Sequence, residues 1–261
     1  MNAVYPLFSS SKGNAVYIGN SERGIIIDAG VSYKRLSCAM SRCGLDFGCV
    51  QAVFITHEHS DHVKGLSMVT KKHGCPVYAQ EATLEVLLEK GIIASASVTY
   101  NITGKTVEIG DMKISAFATP HDTVQSCGYR VDFEDGRSCA VCTDLGHITA
   151  EVDNALLGAD TVLIEANYDD EMIHSGPYPL SLIRRICSGN GHLSNSDSAT
   201  QVLSLVENGT KNIILGHLSQ ENNSPIIAEH TISRKLSAFQ RDRDYMLTVA
   251  AVETFGDMVV I

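Results

Sequence analysis

Residues 52–62 read Ala52-Val53-Phe54-Ile55-Thr56-His57-Glu58-His59-Ser60-Asp61-His62. A short apolar, β-prone run is followed at once by three imidazoles and two carboxylates within six positions. The run has the length and composition of a buried strand. Histidine is an indifferent former of helix or strand, and several together interrupt any apolar face. Neutral imidazole nitrogen and carboxylate oxygen suit zinc, iron and manganese, so the cluster is expected to hold metal. The bland alternative is a solvated loop that is merely rich in histidine.

The spacing suggests how such a cluster works. His57 and His59 are two residues apart, so in extended backbone they point the same way and can grip one ion. Asp61 and His62 follow a bend and lead toward a helix, which turns this second pair to a second position. The pattern H-x-H-x-D-H therefore suits two adjacent metals. It differs from H-E-x-x-H, which sets two imidazoles on one helical face around a single zinc.

Outward from this cluster, length and composition set bounds. The 261 residues are enough to bury a sizeable core, and 44% hydrophobic with 19% charged residues is ordinary globular composition. No apolar stretch approaches the roughly 18 residues that span a bilayer, so no membrane partner is expected. Met1-Asn2-Ala3-Val4-Tyr5-Pro6 lacks the basic and apolar regions of a signal peptide. The eight cysteines follow no compact disulfide framework. The expectation is a cytoplasmic protein with free thiols. Cys139 and Cys142 form a C-x-x-C, but in a β-like run that odd spacing sends them to opposite faces, as buried small hydrophobes. A net charge of −10 argues mildly against a protein coated in nucleic acid. It leaves a nuclease open, because bound cations invert the local field.

The remaining pattern alternates. Strands are expected at 15–18 and 24–28, a helix at 32–43, the strand at 52–56, a helix at 63–73, a strand at 75–79 and a helix at 81–90. Strands follow at 107–109, 113–118, 127–131 and 138–142, with a hairpin turn at Glu134-Asp135-Gly136-Arg137. Then come a helix at 151–157, a strand at 161–165, helices at 179–187 and 196–207, a strand at 212–215, a helix at 226–239, and extended segments at 246–250 and 257–261. No linker, low-complexity tract or repeat interrupts this. A single domain over 1–261 made of two similar halves, two mixed sheets with helices outside, is the simplest account.

Further candidate ligands lie just past expected strands: His121 after 113–118, Asp144 after 138–142, and His217 after 212–215. Each alone could be an ordinary polar group; strand ends, however, converge on the rim of a sheet. With the H-x-H-x-D-H signature and the later His, Asp and His in that order, the chain resembles the metallo-β-lactamase superfamily. Within it the chain is similar to the YycJ/WalJ-like branch of metal-dependent hydrolases. Ser9-Ser10-Ser11-Lys12-Gly13-Asn14, Ile27-Asp28-Ala29-Gly30, Thr143-Asp144-Leu145-Gly146, Gly191-His192-Leu193-Ser194-Asn195 and Gly216-His217-Leu218-Ser219, followed by Glu221-Asn222-Asn223, carry that likeness across essentially the whole chain.

The resemblance implies an α/β fold, the αββα metallo-β-lactamase sandwich. It implies that His57, His59 and His121 hold one divalent metal, Asp61, His62 and His217 another, and Asp144 bridges them, the metals being Zn2+ or Mn2+, with Fe also suited. It further implies a phosphodiesterase acting as a 5′-to-3′ DNA exonuclease through a hydroxide between the metals, with nucleic acid as substrate, DNA more than RNA. The alternatives are a hydrolase of a small ester, lactone or thioester, and a non-catalytic module stabilised by metal. An RNA-processing relative with an inserted domain fits less well, since local strands and helices already fill the stretch between Asp144 and His217. Nothing in the sequence sets the oligomeric state.

Two residues are expected to act in catalysis. Asp61 is placed to aim the nucleophile. His192 precedes a cap-rich helix start at Asn195-Ser196-Asp197-Ser198 and can give a proton to a leaving oxygen. Substrate contacts are expected from Ser10, Ser11, Lys12 and Asn14 in a polar loop, and from Ser194 and Asn195 at the helix start. Their bland readings are a plain connection and a helix cap. Glu58, out of phase with the flanking histidines, is expected to face away from the metals and to support their ligands from behind. His73, His147, His174 and His230 lack partners in sequence and are read as surface or core residues. Arg184-Arg185 and Arg241-Asp242-Arg243 are read as solvated faces.

Overall fold

A computed structural model describes all residues, 1–261, as an α/β protein with two seven-stranded mixed sheets. The chain divides into two compact units, residues 1–116 with 123–127 and 251–261, and residues 117–122 with 128–250.

The first unit begins with β1 (Ala3–Ser10), β2 (Gly13–Gly19), β3 (Gly24–Ile27), α1 (Tyr33–Arg42) and β4 (Val50–Phe54). It continues through α2 (Ser60–Val63), α3 (Leu66–His73), β5 (Val77–Ala79), α4 (Glu81–Glu89), β6 (Thr99–Asn101), β7 (Thr106–Ile109) and most of β8 (Met112–Ala118). Strands β3 to β6 are parallel neighbours, while β1 and β2 pair antiparallel. Parallel strands covered on both faces need continuous apolar sequence, which Gly24-Ile25-Ile26-Ile27 supplies with every residue buried. The core packs Leu36, Ala39 and Met40 of α1 with Leu66 and Val69 of α3 and Leu87 of α4 against Val53 and Val77.

The second unit contains most of β9 (Cys127–Phe133), then β10 (Ser138–Cys142), α5 (Ala150–Leu156), β11 (Thr161–Glu165), α6 (Met172–Ser175) and α7 (Leu180–Ile186). It ends with α8 (Asn195–Glu207), β12 (Asn212–Gly216), α9 (Pro225–Lys235) and β13 (Met246–Val249); the chain closes with β14 (Val259–Val260), which pairs with β1. Strands β10 to β13 are parallel neighbours in chain order, and β9 joins β10 antiparallel. Thr149, Ser194 and Ser224 cap α5, α8 and α9 by accepting a backbone N–H.

Several expectations are corrected. Strand β1, eight buried residues, is not among the expected strands; a register shift between Pro6 and Phe8 accommodates the proline. The expected helix at 63–73 is two helices, parted at Lys64-Gly65. A Cβ on Gly65 would sit 2.2 Å from the Val31 carbonyl oxygen, so the chain crosses too closely there for any side chain. The helix expected to reach 239 stops at Lys235. Strand β6 and helix α6, only three and four residues long, carried no periodicity to read. All eight cysteines are free, and Cys139 and Cys142 lie fully buried in β10.

Candidate metal centre

In both units the polar residues sit just past the carboxyl ends of parallel strands, where ligands gather in open α/β sheets. Asp28 follows β3, the His57–His62 cluster follows β4, Asp144 follows β10, Glu165 ends β11 and His217 follows β12. Three of these, Asp28 (φ 62°), Asp144 (φ 58°) and His217 (φ 54°), adopt the left-handed backbone that side chains disfavour. Of the four non-glycine residues with positive φ, only Asp242 lies away from these strand ends. Such conformations cost on the order of 1–3 kcal/mol each and persist where surrounding structure holds them.

In the first unit Asp28 organises the cluster. Its Oδ1 accepts the Thr56 N–H at 2.9 Å, and its Oδ2 accepts the Thr56 hydroxyl at 2.8 Å. Oδ2 also lies 2.8 Å from His62 Nδ1. Since the Thr56 hydroxyl donates to Asp28, its oxygen accepts from His57 Nδ1 at 3.0 Å. Both imidazoles are thereby fixed with Nδ1 as donor, which leaves Nε2 as the basic nitrogen. His57 and His62 are fully buried, with ring centroids 4.0 Å apart, and the His59 ring stands edge-on to His57 at 4.7 Å. Asp61 Oδ2 lies 3.4 Å from His62 Nε2. Gly30 makes this possible: a Cβ there would fall 1.6 Å from the Asp61 carbonyl oxygen.

Asn14 joins this group. Its Nδ2 donates to the Ser10 carbonyl at 3.0 Å, reaches His62 Nε2 at 3.0 Å and approaches Asp61 Oδ2 at 3.3 Å. Ser9–Asn14, expected as a loop, is instead the tight hairpin of β1 and β2, with Ser10 opposite Gly13. Ser10 is buried and its hydroxyl accepts the Lys12 N–H, whereas Ser11 and Lys12 are exposed at the tip. Glu58 accepts the Val124 N–H through Oε1 at 3.2 Å, so it braces a neighbouring loop.

The second unit is organised by Glu165, a fully buried carboxylate absent from the expected site. Oε1 accepts from His217 Nδ1 at 2.6 Å and from His192 Nδ1 at 2.9 Å. Oε2 accepts the backbone N–H groups of Leu145 and Leu193 at 3.2 and 3.0 Å. The register of β11 on β12, Glu165 opposite Gly216, sets Glu165 beside His217. Asp144 Oδ1 lies 3.5–3.6 Å from nitrogens of His121, His192 and His217. Asp144, Glu165, His192 and His217 each bring a ligand atom within 4.8 Å of the others. His121 Nδ1 donates to the Gly191 carbonyl at 2.9 Å, so here too Nε2 remains the ligand nitrogen.

Burial opposes charge at each of these groups, and partners decide the outcome. Burial alone raises the Glu165 pKa, but His192 and His217 bring it down to about 2. Burial alone lowers His192, yet the charge and hydrogen bond of Glu165, with Asp144, push it up to about 9. His217 is likewise raised, by Asp144 and Glu165 against burial. His121 is lowered, chiefly by burial.

The motif after His217 supports its strained backbone. Asn167 Nδ2 donates to the His217 carbonyl at 2.8 Å. Asn223 and Asn195 exchange side-chain hydrogen bonds at 2.9 and 3.0 Å, and Asn223 also donates to the Ala166 carbonyl. Ser194 and Asn195, expected to contact substrate, both have partners within the protein. The Ser194 hydroxyl caps α8 and bonds Asp197, and Asn195 is fully buried on Asn223. Arg185 and Arg241 are tied to Asp122 and Glu229, and are not merely solvated. His147 Nδ1 donates to the Gly189 carbonyl, and His73 stacks on Phe47 and Tyr33, which also stack on each other.

The chain matches the beta-lactamase superfamily domain over residues 23–218. It belongs to the metallo-β-lactamase superfamily. It is 36% identical to exodeoxyribonuclease WalJ of Streptococcus pneumoniae, over 88% of this chain and 87% of that protein. It is 34% identical to exodeoxyribonuclease YycJ of Bacillus anthracis over the same shares. The fold is similar to Zn2+-bound PqqB of Methylobacterium extorquens, with a TM-score of 0.74, 17% identity and full coverage of both chains. The donor set fits a divalent cation. In the first unit His57 and His62, with Asp61 beside His62, and in the second His121 and His217, with Asp144 beside them, have Nδ1 committed to a protein acceptor. The protein is a divalent-metal-binding member of this superfamily.

Proposed function

We propose that this chain is a two-metal phosphodiesterase that removes nucleotides from DNA, in the 5′-to-3′ direction. The observation that carries the reading is the shared tautomer of four imidazoles, each with Nδ1 held by the protein and Nε2 as its basic nitrogen. The proposed ligands are His57, His59 and His121 for one ion, Asp61, His62 and His217 for the other, and Asp144 for both. Zn2+ and Mn2+ both suit this mixed set. Two such ions, when bound, supply a nucleophile from water and neutralise charge on a phosphate. The likeness to WalJ and YycJ over most of the chain supports DNA as the substrate.

The chain's own residues then have distinct tasks. Asp61 orients the attacking water as an acceptor. Asp28 and Glu165 hold His62 and His217 in their ligand orientation. His192, kept protonated by Glu165, donates its Nε2 proton to the leaving oxygen. That donor suits a departing alkoxide, as in a phosphodiester, and is not needed by the thiolate of a thioester.

The test is digestion of end-labelled DNA and RNA with added Mn2+ or Zn2+. Wild type is expected to release nucleotides from DNA. Asp61→Ala is expected to fall by about 100-fold or more, in the range typical for loss of a positioned acid or base. A wild type that releases no nucleotide but cleaves a lactone or thioester overturns the reading.

A further inference from the structure

Two adjoining cavities in the first unit lie along α3. One, of about 720 Å³, is lined by Glu58, His59, Ser60, Lys64, Lys90 and Ile92 among others. The next, of about 500 Å³, is lined by Thr70, Lys71, Gly74, Ala94, Ser97 and Val98. Ser67 borders both, so they form one groove that starts at His59 and follows the helix. From Ser67 to Gly74 the chain along α3 spans roughly 10 Å, room for about three phosphates at about 3.4 Å each along a strand.

Charge makes this groove unusual on a chain of net −10. Lys64, Lys71 and Lys90 are all exposed on its walls, and none forms an ion pair. Small residues, Ser67, Gly74, Gly91, Ala94, Ala96 and Ser97, make up much of the remaining lining, which leaves the lysines room to reach a ligand backbone. The one acid on the walls is Glu58. Its Oε1 accepts the Val124 N–H and its Oε2 is buried. Aromatic side chains are absent from the lining, so bases are not stacked there, and the contacts fall on the phosphates.

We propose that this groove is the track for the sugar-phosphate backbone of a single DNA strand whose terminal nucleotide lies at His59. The inference rests on the phosphodiesterase reading and adds to it the path of the strand.

The test uses the metal-loaded full chain and a labelled single-stranded oligonucleotide with hydrolysis-resistant phosphorothioate linkages. Anisotropy is followed against salt for wild type, for K64E/K71E/K90E, and for the charge-matched K34E/K113E/K235E. Each phosphate contact contributes about 0.7 to the salt slope of single-strand binding, so the groove variant is expected to lose about two. Its affinity should drop by more than about tenfold near physiological salt, while the charge-matched variant keeps the wild-type slope. Single variants K64Q, K71Q and K90Q should each lose about 0.7, a check that does not depend on the triple variant folding normally. Equal slopes for the two triple variants, or no binding by wild type, overturn the groove. The underlying reading fails separately, if wild type releases no nucleotide from ordinary DNA.

Discussion

Glu165→Gln should disable the ligand group of the second unit while barely changing its shape. The carboxylate accepts from four donors, two imidazole Nδ1 atoms and two backbone N–H groups, with no exposure to water. Glutamine offers one acceptor oxygen, and its NH2 group must face donors. At least one buried donor then loses its partner, and the two charge-assisted bonds to His192 and His217 become neutral. Hydrogen bonds to charged groups contribute about 1.5–3 kcal/mol each, so the fold should lose about 3 kcal/mol. Freed from its acceptor, His217 no longer holds Nε2 as the basic nitrogen, and losses of such supports weaken metal affinity or activity by about 10–100-fold. Chelator competition measures the affinity, denaturant unfolding the stability, and release of labelled nucleotides the activity. A Gln variant that binds metal within about twofold of wild type would refute the role assigned to Glu165. A double-mutant cycle with His217→Ala should show strong coupling, because each change removes the same bond.

Other predictions follow the same logic. Asp28→Asn should lower metal affinity by about 10–100-fold, read by chelator competition, since one carboxylate orients both Thr56 and His62. Gly30→Ala should lower the melting temperature sharply and abolish metal binding, because its Cβ would overlap the Asp61 carbonyl at 1.6 Å. For metal-free protein, stability should depend on pH through His192 and Glu165. His192 is raised to about 9, so its contribution is complete below its ordinary value and disappears as pH rises through 9. Glu165 is lowered to about 2, so its contribution is complete above its ordinary value and disappears as pH falls through 2. Thermal melts of the chelated chain should thus peak between these limits, and Glu165→Gln should flatten the alkaline fall.

How far the site could be read in advance depended on where each residue lies in the sequence. His57–His62 announces itself, because six positions hold five ligand-type side chains. His121, Asp144 and His217 were visible as polar residues directly past apolar strands. Glu165 obeys the same rule at the end of Thr161-Val162-Leu163-Ile164, yet a lone acid closing a strand reads as an ordinary solvated end. Only the β11–β12 register, which sets it opposite Gly216, shows that it is buried against His217. Asp28 was part of a recognised motif but had no role until its contacts with Thr56 and His62 were seen. Ser194 and Asn195 are open to two readings in sequence, because capping residues and phosphate donors are the same residue types; the structure shows the cap and the burial. Strand β1 was not expected at all; it contains Pro6, whose missing N–H the register shift to Phe8 absorbs. The backbone strain at Asp28, Asp144 and His217 has no sequence signal at all, since none is glycine.

The central claim is that metal held by these ligands turns the chain into a DNA phosphodiesterase. Its most direct test is to strip the protein with chelator, titrate Mn2+ back, and follow nucleotide release from end-labelled DNA against metal bound per chain. Activity should be absent in the stripped protein and rise to saturation as the second equivalent binds. Metal binding to stoichiometry with no release of nucleotides from DNA would contradict it.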